Sequence, residues 1–151
     1  MKLLLIDSNI VFSAIVNPES KIGEILFDSE ETFEFCSVEL LVKEVDGFND
    51  KLLARNLNIE EIETAKERIY EVIELYEEGA ISFDTWMKAL RLVRDTDIDD
   101  IAFVALSLYL AIPIWTGDKK LINGLAEKGY YECLTTEDVY ELKNIIESSN
   151  P

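Results

Sequence analysis

The chain contains no histidine, and this absence narrows the chemistry open to it. Ser-His-Asp and Cys-His nucleophilic catalysis, imidazole general bases and histidine-containing metal sites are all excluded. The two cysteines, Cys36 and Cys133, stand singly rather than in a CxxC pair. We expect both to be reduced thiols on different strands, too far apart to form a disulfide. Any reaction must therefore depend mainly on carboxylates, hydroxyls and a few cations.

Basic residues are scarce: 14 Lys and Arg stand against 31 Asp and Glu, for a formal net charge of −17 at pH 7. This balance argues against a protein that coats nucleic acid through many phosphate contacts. A nucleic-acid enzyme stays open, because a divalent metal reverses the local sign. No apolar run reaches about 18 residues, so no membrane-spanning helix is expected. The apolar stretch at residues 3–6 is also too short for a secretory signal. The sequence predicts a cytoplasmic protein that does not bind a membrane.

Short apolar strands alternate with helices along the chain. Strands are predicted at residues 3–6, 33–36, 80–82, 112–116 and 132–134. Helices are predicted at residues 9–16, 20–27, 85–93 and 101–111, after Ser37 as a cap, and at the C-terminus after Thr135 or Thr136. This alternation predicts a three-layer α/β/α sandwich with a parallel sheet of four or five strands, the first strand central. We expect a single domain at residues 1–147 and a frayed tail at residues 148–151.

One long amphipathic helix is predicted to start near Ile59, with Asn58 as its N-cap. Gly79 is expected to close this helix. Its apolar positions recur at helical spacing over an acidic opposite face. These positions are Ile62, Ala65, Ile69, Val72, Ile73 and Tyr76.

Four acidic side chains are predicted to meet at the carboxyl edge of the sheet. Asp7 and Asp118 each follow a predicted strand, where open parallel sheets bind their ligands. Asp100 begins the apolar helix that leads into the strand before Asp118, and Glu44 lies on the helix after the second strand. We expect the four carboxylates to converge in one cleft. Oxygen ligands without nitrogen or sulfur suit a hard cation such as Mg²⁺ or Mn²⁺.

Each acid also has an interpretation without function. Asp7 is a good N-cap for the helix that follows it. Asp97 could cap the apolar helix, with Asp100 in its favourable first turn. Asp118 is typical of a turn, and Glu44 alone is typical of a solvated helix face. The metal-site hypothesis therefore depends on the joint placement of the acids, not on any single one.

Two segments of the chain resemble the PIN domain family, a ribonuclease fold that includes the VapC toxins of toxin–antitoxin pairs. Asp7-Ser8-Asn9, after an apolar strand, resembles the opening of these domains. The acid and apolar helix at residues 100–107, followed by Thr116-Gly117-Asp118, resemble the block that carries the family's third and fourth acids. Glu44 occupies the place of the family's helix-borne glutamate. The resemblance spans residues 3–136.

The resemblance implies an endoribonuclease that hydrolyses RNA phosphodiesters with Mg²⁺ or Mn²⁺. The implied catalytic and metal-binding residues are Asp7, Glu44, Asp100 and Asp118. Asn9 and Thr116 would orient the aspartates. The implied partners are an RNA substrate, an antitoxin protein if the chain is the toxin of a VapBC-type pair, and a second copy in a homodimer. An RNA-processing relative of the toxins stays open.

Basic surface to guide RNA is limited, and the candidates lie near the acids in sequence: Lys51, Arg55, Arg91, Arg94, Lys119 and Lys120. Two other functions stay open. A haloacid-dehalogenase-like phosphohydrolase would need Asp-x-Asp after the first strand, where this chain has Asp7-Ser8-Asn9, and an acid where it has Ile122. A non-catalytic protein-binding module would use the acids only as helix caps.

Overall fold

A computed structural model describes residues 1–149, and residues 150 and 151 lie outside the described part. Five strands form one parallel sheet flanked by helices in three layers, which confirms the predicted fold class. Two 3-10 helices, Glu78–Ala80 and Ile98–Asp100, join longer elements. The elements in chain order are β1 (Lys2–Ile6), α1 (Ser8–Val16), α2 (Lys21–Phe27), β2 (Phe33–Val38), α3 (Leu40–Asp46), α4 (Asn49–Leu53), α5 (Ile59–Tyr70), β3 (Ile73–Tyr76), α6 (Phe83–Val93), α7 (Ile101–Leu110), β4 (Ile114–Trp115), α8 (Lys119–Glu127), β5 (Cys133–Leu134) and α9 (Thr136–Ser149).

The strand order β3-β2-β1-β4-β5 places β1 at the centre of the sheet, as predicted. Leu5 pairs with Cys36 of β2 on one side and with Ile114 of β4 on the other. The order of the strands changes direction at β1, and ligands of open parallel sheets bind at such a point, beyond the carboxyl ends. Cys36 and Cys133 lie on separate strands as free thiols, which confirms that prediction.

The core forms around β1 and α7 because both are apolar on all sides. Leu4, Leu5 and Ile6 are fully buried, as expected of a strand covered by helices on both faces. Residues 102–107 of α7 are all buried, and Ser107 satisfies its hydroxyl by donating to the Ile112 carbonyl. This burial fixes α7 against the sheet, so the residues at its N-terminal end have a defined position beside β1.

The prediction of one helix from Ile59 to Gly79 is wrong. The cap at Asn58 forms a capping box with Glu61, but α5 ends at Tyr70 and residues 73–76 form β3. Apolar positions at 69, 72, 73 and 76 fit a helical period, whereas residues 72–76, which are apolar except for Glu74, also fit a short strand. Pairing of β3 with the otherwise open edge of β2 decides between them, because that pairing satisfies backbone groups of both strands.

Two shorter predictions are also wrong. The predicted strand at residues 80–82 is replaced by the 3-10 helix and by Ser82, which caps α6. Ser37 does not cap α3, since it lies inside β2 and its hydroxyl donates to the Ile6 carbonyl at 2.8 Å. A serine inside a buried strand needs such a partner, and this hydrogen bond ties the ends of β1 and β2 together.

At the C-terminus, α9 continues to Ser149. The first two residues of the predicted frayed tail are thus helical, and the other two lie outside the described residues. The domain boundary at residue 147 stays a prediction. Over residues 1–149, no helix combines the length and the apolar character needed to cross a membrane.

Candidate active site

Asp7 is the first residue after β1, and three groups hold its carboxylate in place. Its Oδ1 accepts from the Ser8 backbone N–H at 2.8 Å. Its Oδ2 accepts from the Thr116 hydroxyl at 2.7 Å and from Asn9 Nδ2 at 3.3 Å. Asp7 therefore caps α1, as the interpretation without function predicted. The hydrogen bonds from Asn9 and Thr116 also fix the orientation of its carboxylate at the end of the sheet.

Thr116 and Asn9 join the turns after β1 and β4. The Thr116 hydroxyl accepts from the Asp118 backbone N–H at 3.0 Å, and Asn9 Oδ1 accepts from the Gly117 backbone N–H at 3.2 Å. Asp118 is the N-cap of α8, where its Oδ1 accepts two backbone N–H groups at 3.0 and 3.2 Å. Both capping hydrogen bonds go to Oδ1 of Asp118, so capping is compatible with metal binding by Oδ2.

Glu44 does not extend into solvent, although a residue of a solvated helix face would do so. Its Oε1 accepts from the Ser8 hydroxyl at 2.8 Å, which turns the side chain toward the start of α1. Ser8 is thus a residue of the site that the sequence reasoning did not identify. Its position directly after Asp7, in the first turn of α1, was the available signal.

Asp100 stands where the 3-10 helix passes into α7. Asp97 caps this segment, because its Oδ1 accepts from the Asp99 backbone N–H at 2.9 Å. Asp100 makes no capping bond with its side chain. In the described part of the chain, Asp100 Oδ2 is buried and has no hydrogen-bond partner. A buried carboxylate oxygen without a partner is costly, and a cation would satisfy it.

Burial and mutual repulsion raise the pKa of three of the acids. The pKa of Asp100 rises to about 7, first through burial and then through the charges of its acidic neighbours. The pKa of Asp7 is raised by burial, against the lowering effect of the Thr116 and Ser8 hydrogen bonds. Burial is also the main cause of the raised pKa of Glu44. The carboxylates therefore share one electrostatic environment that favours uptake of positive charge.

All four predicted site residues line one cleft of about 780 Å³ at the carboxyl ends of the strands. Asp97 and Asp99 line it too. Of the basic residues singled out in the sequence, only Lys51 is among the lining residues. Lys43, which was not predicted from the sequence as a site residue, also lines the cleft. The residues that line the cleft are Asp7, Ser8, Asn9, Leu40, Lys43, Glu44, Phe48, Lys51, Asp97, Asp99, Asp100 and Asp118.

The donor set fits a hard divalent cation. The candidate ligands are carboxylate oxygens, and one of them, Asp100 Oδ2, is buried without a partner. As they are placed in residues 1–149, no three acidic or cysteine side chains are close enough to hold one ion together. The expected convergence on a single point is thus not reached, and joint ligation requires some of these side chains to turn toward the ion.

Comparison with known proteins agrees with this geometry. The profile of the family described as PIN domain matches residues 5–142. The chain therefore belongs to the PIN domain family, whose members are generally nucleases and typically use divalent metal ions. No curated protein matches the chain. Membership removes the haloacid-dehalogenase-like alternative, which already lacked its second aspartate at Asn9.

Proposed function

We propose that the protein is an endoribonuclease that hydrolyses RNA phosphodiesters with Mg²⁺ or Mn²⁺ held by Asp7, Glu44, Asp100 and Asp118. One observation carries the proposal. Four carboxylates from four different elements line a single cleft, and one of their oxygens is buried without a hydrogen-bond partner. Helix capping alone explains Asp7 and Asp118, but it explains neither Glu44 nor Asp100.

The chain's own residues prepare the site before metal or substrate arrives. Thr116 and Asn9 hold Asp7 in one orientation and couple it to the turn that carries Asp118. Ser8 holds Glu44 toward the same cleft. Fixed ligands lose less side-chain entropy on binding. A bound divalent ion would supply activation of a water and neutralisation of charge on the phosphodiester.

Toxin of a VapBC-type pair is the biological role that we propose for this nuclease, acting in the cytoplasm as a homodimer. The support is the resemblance of its acidic blocks to the PIN domain family, which includes the VapC toxins. The open reading frame upstream of the gene tests this role. A small DNA-binding partner encoded there is expected, and a lone gene would favour an RNA-processing role instead.

Cleavage of RNA tests the enzymatic proposal. We expect weak activity on single-stranded RNA in Mn²⁺, none in EDTA, and none in Asp7→Asn or Asp100→Asn, since asparagine keeps the shape but removes the charge. Glu141→Gln is the control, because Glu141 is exposed on α9 and outside the cleft. Activity that survives both aspartate substitutions would contradict the proposal. Metal binding without cleavage of any RNA would favour the non-catalytic binding module.

A further inference from the structure

One wall of the acidic cleft has a different chemistry from the rest. α3, α4 and the residues between them contribute Lys43, Phe48 and Lys51, which we call the α3–α4 wall. Both lysines are exposed, and Phe48 is partly exposed. The same cleft is lined by six carboxylates. Two cations and an aromatic ring beside these carboxylates are unexpected in a chain of net charge −17.

The ring of Phe48 has a fixed position. Its inner side packs against the core, and Phe12 of α1 meets it edge-on with ring centroids 5.2 Å apart. Lys51 Nζ lies 5.8 Å from the centroid of the Phe48 ring, and the Arg55 guanidinium lies 5.9 Å from that of Phe12. Aromatic rings alternating with cations are the arrangement by which proteins bind single strands of nucleic acid.

The lysines of the wall are available to a ligand. Four other basic residues of the described chain are engaged by carboxylates: Lys66, Arg94, Lys128 and Lys143. In residues 1–149, neither Lys43 nor Lys51 forms such an ion pair, although both stand near acids. A phosphate would therefore not have to displace a carboxylate from either ammonium group.

We propose that the α3–α4 wall binds single-stranded RNA next to the cleaved phosphodiester, with a base stacked on Phe48 and phosphates contacted by Lys43 and Lys51. This inference rests on the proposed function, since it assigns the substrate of the same cleft. A single strand is favoured because a duplex does not present the face of a base to an aromatic ring. Because six carboxylates line the cleft, the wall binds RNA only when divalent metal offsets their charge.

Fluorescence anisotropy with a short labelled oligouridine tests the proposal, with Ca²⁺ as the metal and with salt varied. The variants are Lys43→Gln, Lys51→Gln and Phe48→Leu. Lys2→Gln is the matched charge control, because Lys2 begins β1 and Asp7 follows its other end. Phe83→Leu is the aromatic control, because Phe83 is exposed at the start of α6. Circular dichroism melts of all variants establish that each is folded.

The expected effects differ in kind. Each lysine substitution should reduce the slope of log K against log salt by about 0.7, the value for one phosphate contact on a single strand. Phe48→Leu should weaken binding about 5- to 100-fold at every salt concentration and leave the slope unchanged, as loss of a stacked base does. Both controls should bind like wild type, and EDTA should abolish binding.

Several results would overturn the inference. Unchanged slopes and affinities in all three wall variants would do so and would leave the wall to a protein partner. Equal binding of double-stranded RNA, or binding in EDTA as strong as in Ca²⁺, would also contradict it. The proposed function is tested separately by RNA cleavage in Mn²⁺. If the wild-type enzyme cleaves RNA and the wall variants bind RNA normally, the inference about the wall is refuted and the proposed function is not.

Discussion

Replacing Asp100 by asparagine should raise the melting temperature of the metal-free protein. The pKa of this carboxyl is raised from 3.8 to about 7, so above pH 7 the folded protein holds a charge that burial and neighbouring carboxylates oppose. Each pKa unit corresponds to about 1.4 kcal/mol, which sets an upper limit of about 4 kcal/mol. Asp100 keeps part of its solvent contact, and screening reduces this to about 1–2 kcal/mol. The melting temperature should then rise by about 3–6 °C at pH 8.

The pH dependence gives this prediction its sign. Because the folded pKa lies above the unfolded value, the folded state holds more protons between pH 4 and 7, and wild-type stability falls as pH rises through that window. Asp100→Asn lacks this dependence. The difference in melting temperature should therefore be smaller at pH 5 than at pH 8. The assay is a set of thermal melts in EDTA at fixed ionic strength.

A control and a second ligand condition complete the test. Glu141→Gln removes the same charge from an exposed position on α9, so its effect measures the reduction of net charge alone. Mn²⁺ at about 100 times its dissociation constant should stabilise wild type by roughly 2.7 kcal/mol and Asp100→Asn by less. A lower or unchanged melting temperature for metal-free Asp100→Asn at pH 8 would refute the reasoning and restore the interpretation of Asp100 as a favourable first-turn residue.

Three further substitutions have expected outcomes. Ala111→Gly should stabilise the protein by about 0.5–1 kcal/mol, measured by urea unfolding, because Ala111 is exposed and ends α7 in the left-handed region with φ 54°. A loss of stability would contradict this. Gly124→Ala should destabilise the protein by about 1–3 kcal/mol, because a Cβ there would lie 2.3 Å from Thr96 Oγ1. Adding Thr96→Ala should recover most of this loss, and additive effects of the two substitutions would argue against the contact. Thr116→Val should raise the pKa of Asp7 further, because a hydrogen bond to the carboxylate is lost, and it should weaken Mn²⁺ binding measured by calorimetry. Unchanged metal affinity would mean that this hydrogen bond does not position Asp7.

Elements with one consistent pattern could be predicted from the sequence. β1 and α7 are apolar on every side, and short strands alternating with helices leave a parallel sheet as the simplest arrangement. β3 could not be predicted, because Val72, Ile73 and Tyr76 have helical spacing while the short apolar run at residues 72–76 also fits a strand. Its pairing with β2, a contact between distant parts of the chain, decides the outcome.

The candidate site divides in the same way. Asp7 and Asp118 could be placed near each other because strand ends of a parallel sheet meet at one edge. Lys43 and Glu44 are neighbours and both line the cleft, but this could not be predicted because it depends on how α3 packs against α1. The hydrogen bond from Ser8 to Glu44 likewise depends on that packing. Such contacts are set by tertiary structure, which no local pattern encodes.

Titration of the purified protein with Mn²⁺, followed by electron paramagnetic resonance of the free ion, tests the central claim most directly. The account predicts saturable binding to wild type and to Glu141→Gln. It predicts at least about tenfold weaker binding, with the fold retained, in Asp7→Asn, Glu44→Gln, Asp100→Asn and Asp118→Asn, as loss of a ligand requires. Equal affinity of these four variants and wild type would contradict the claim that the cleft carboxylates hold the metal.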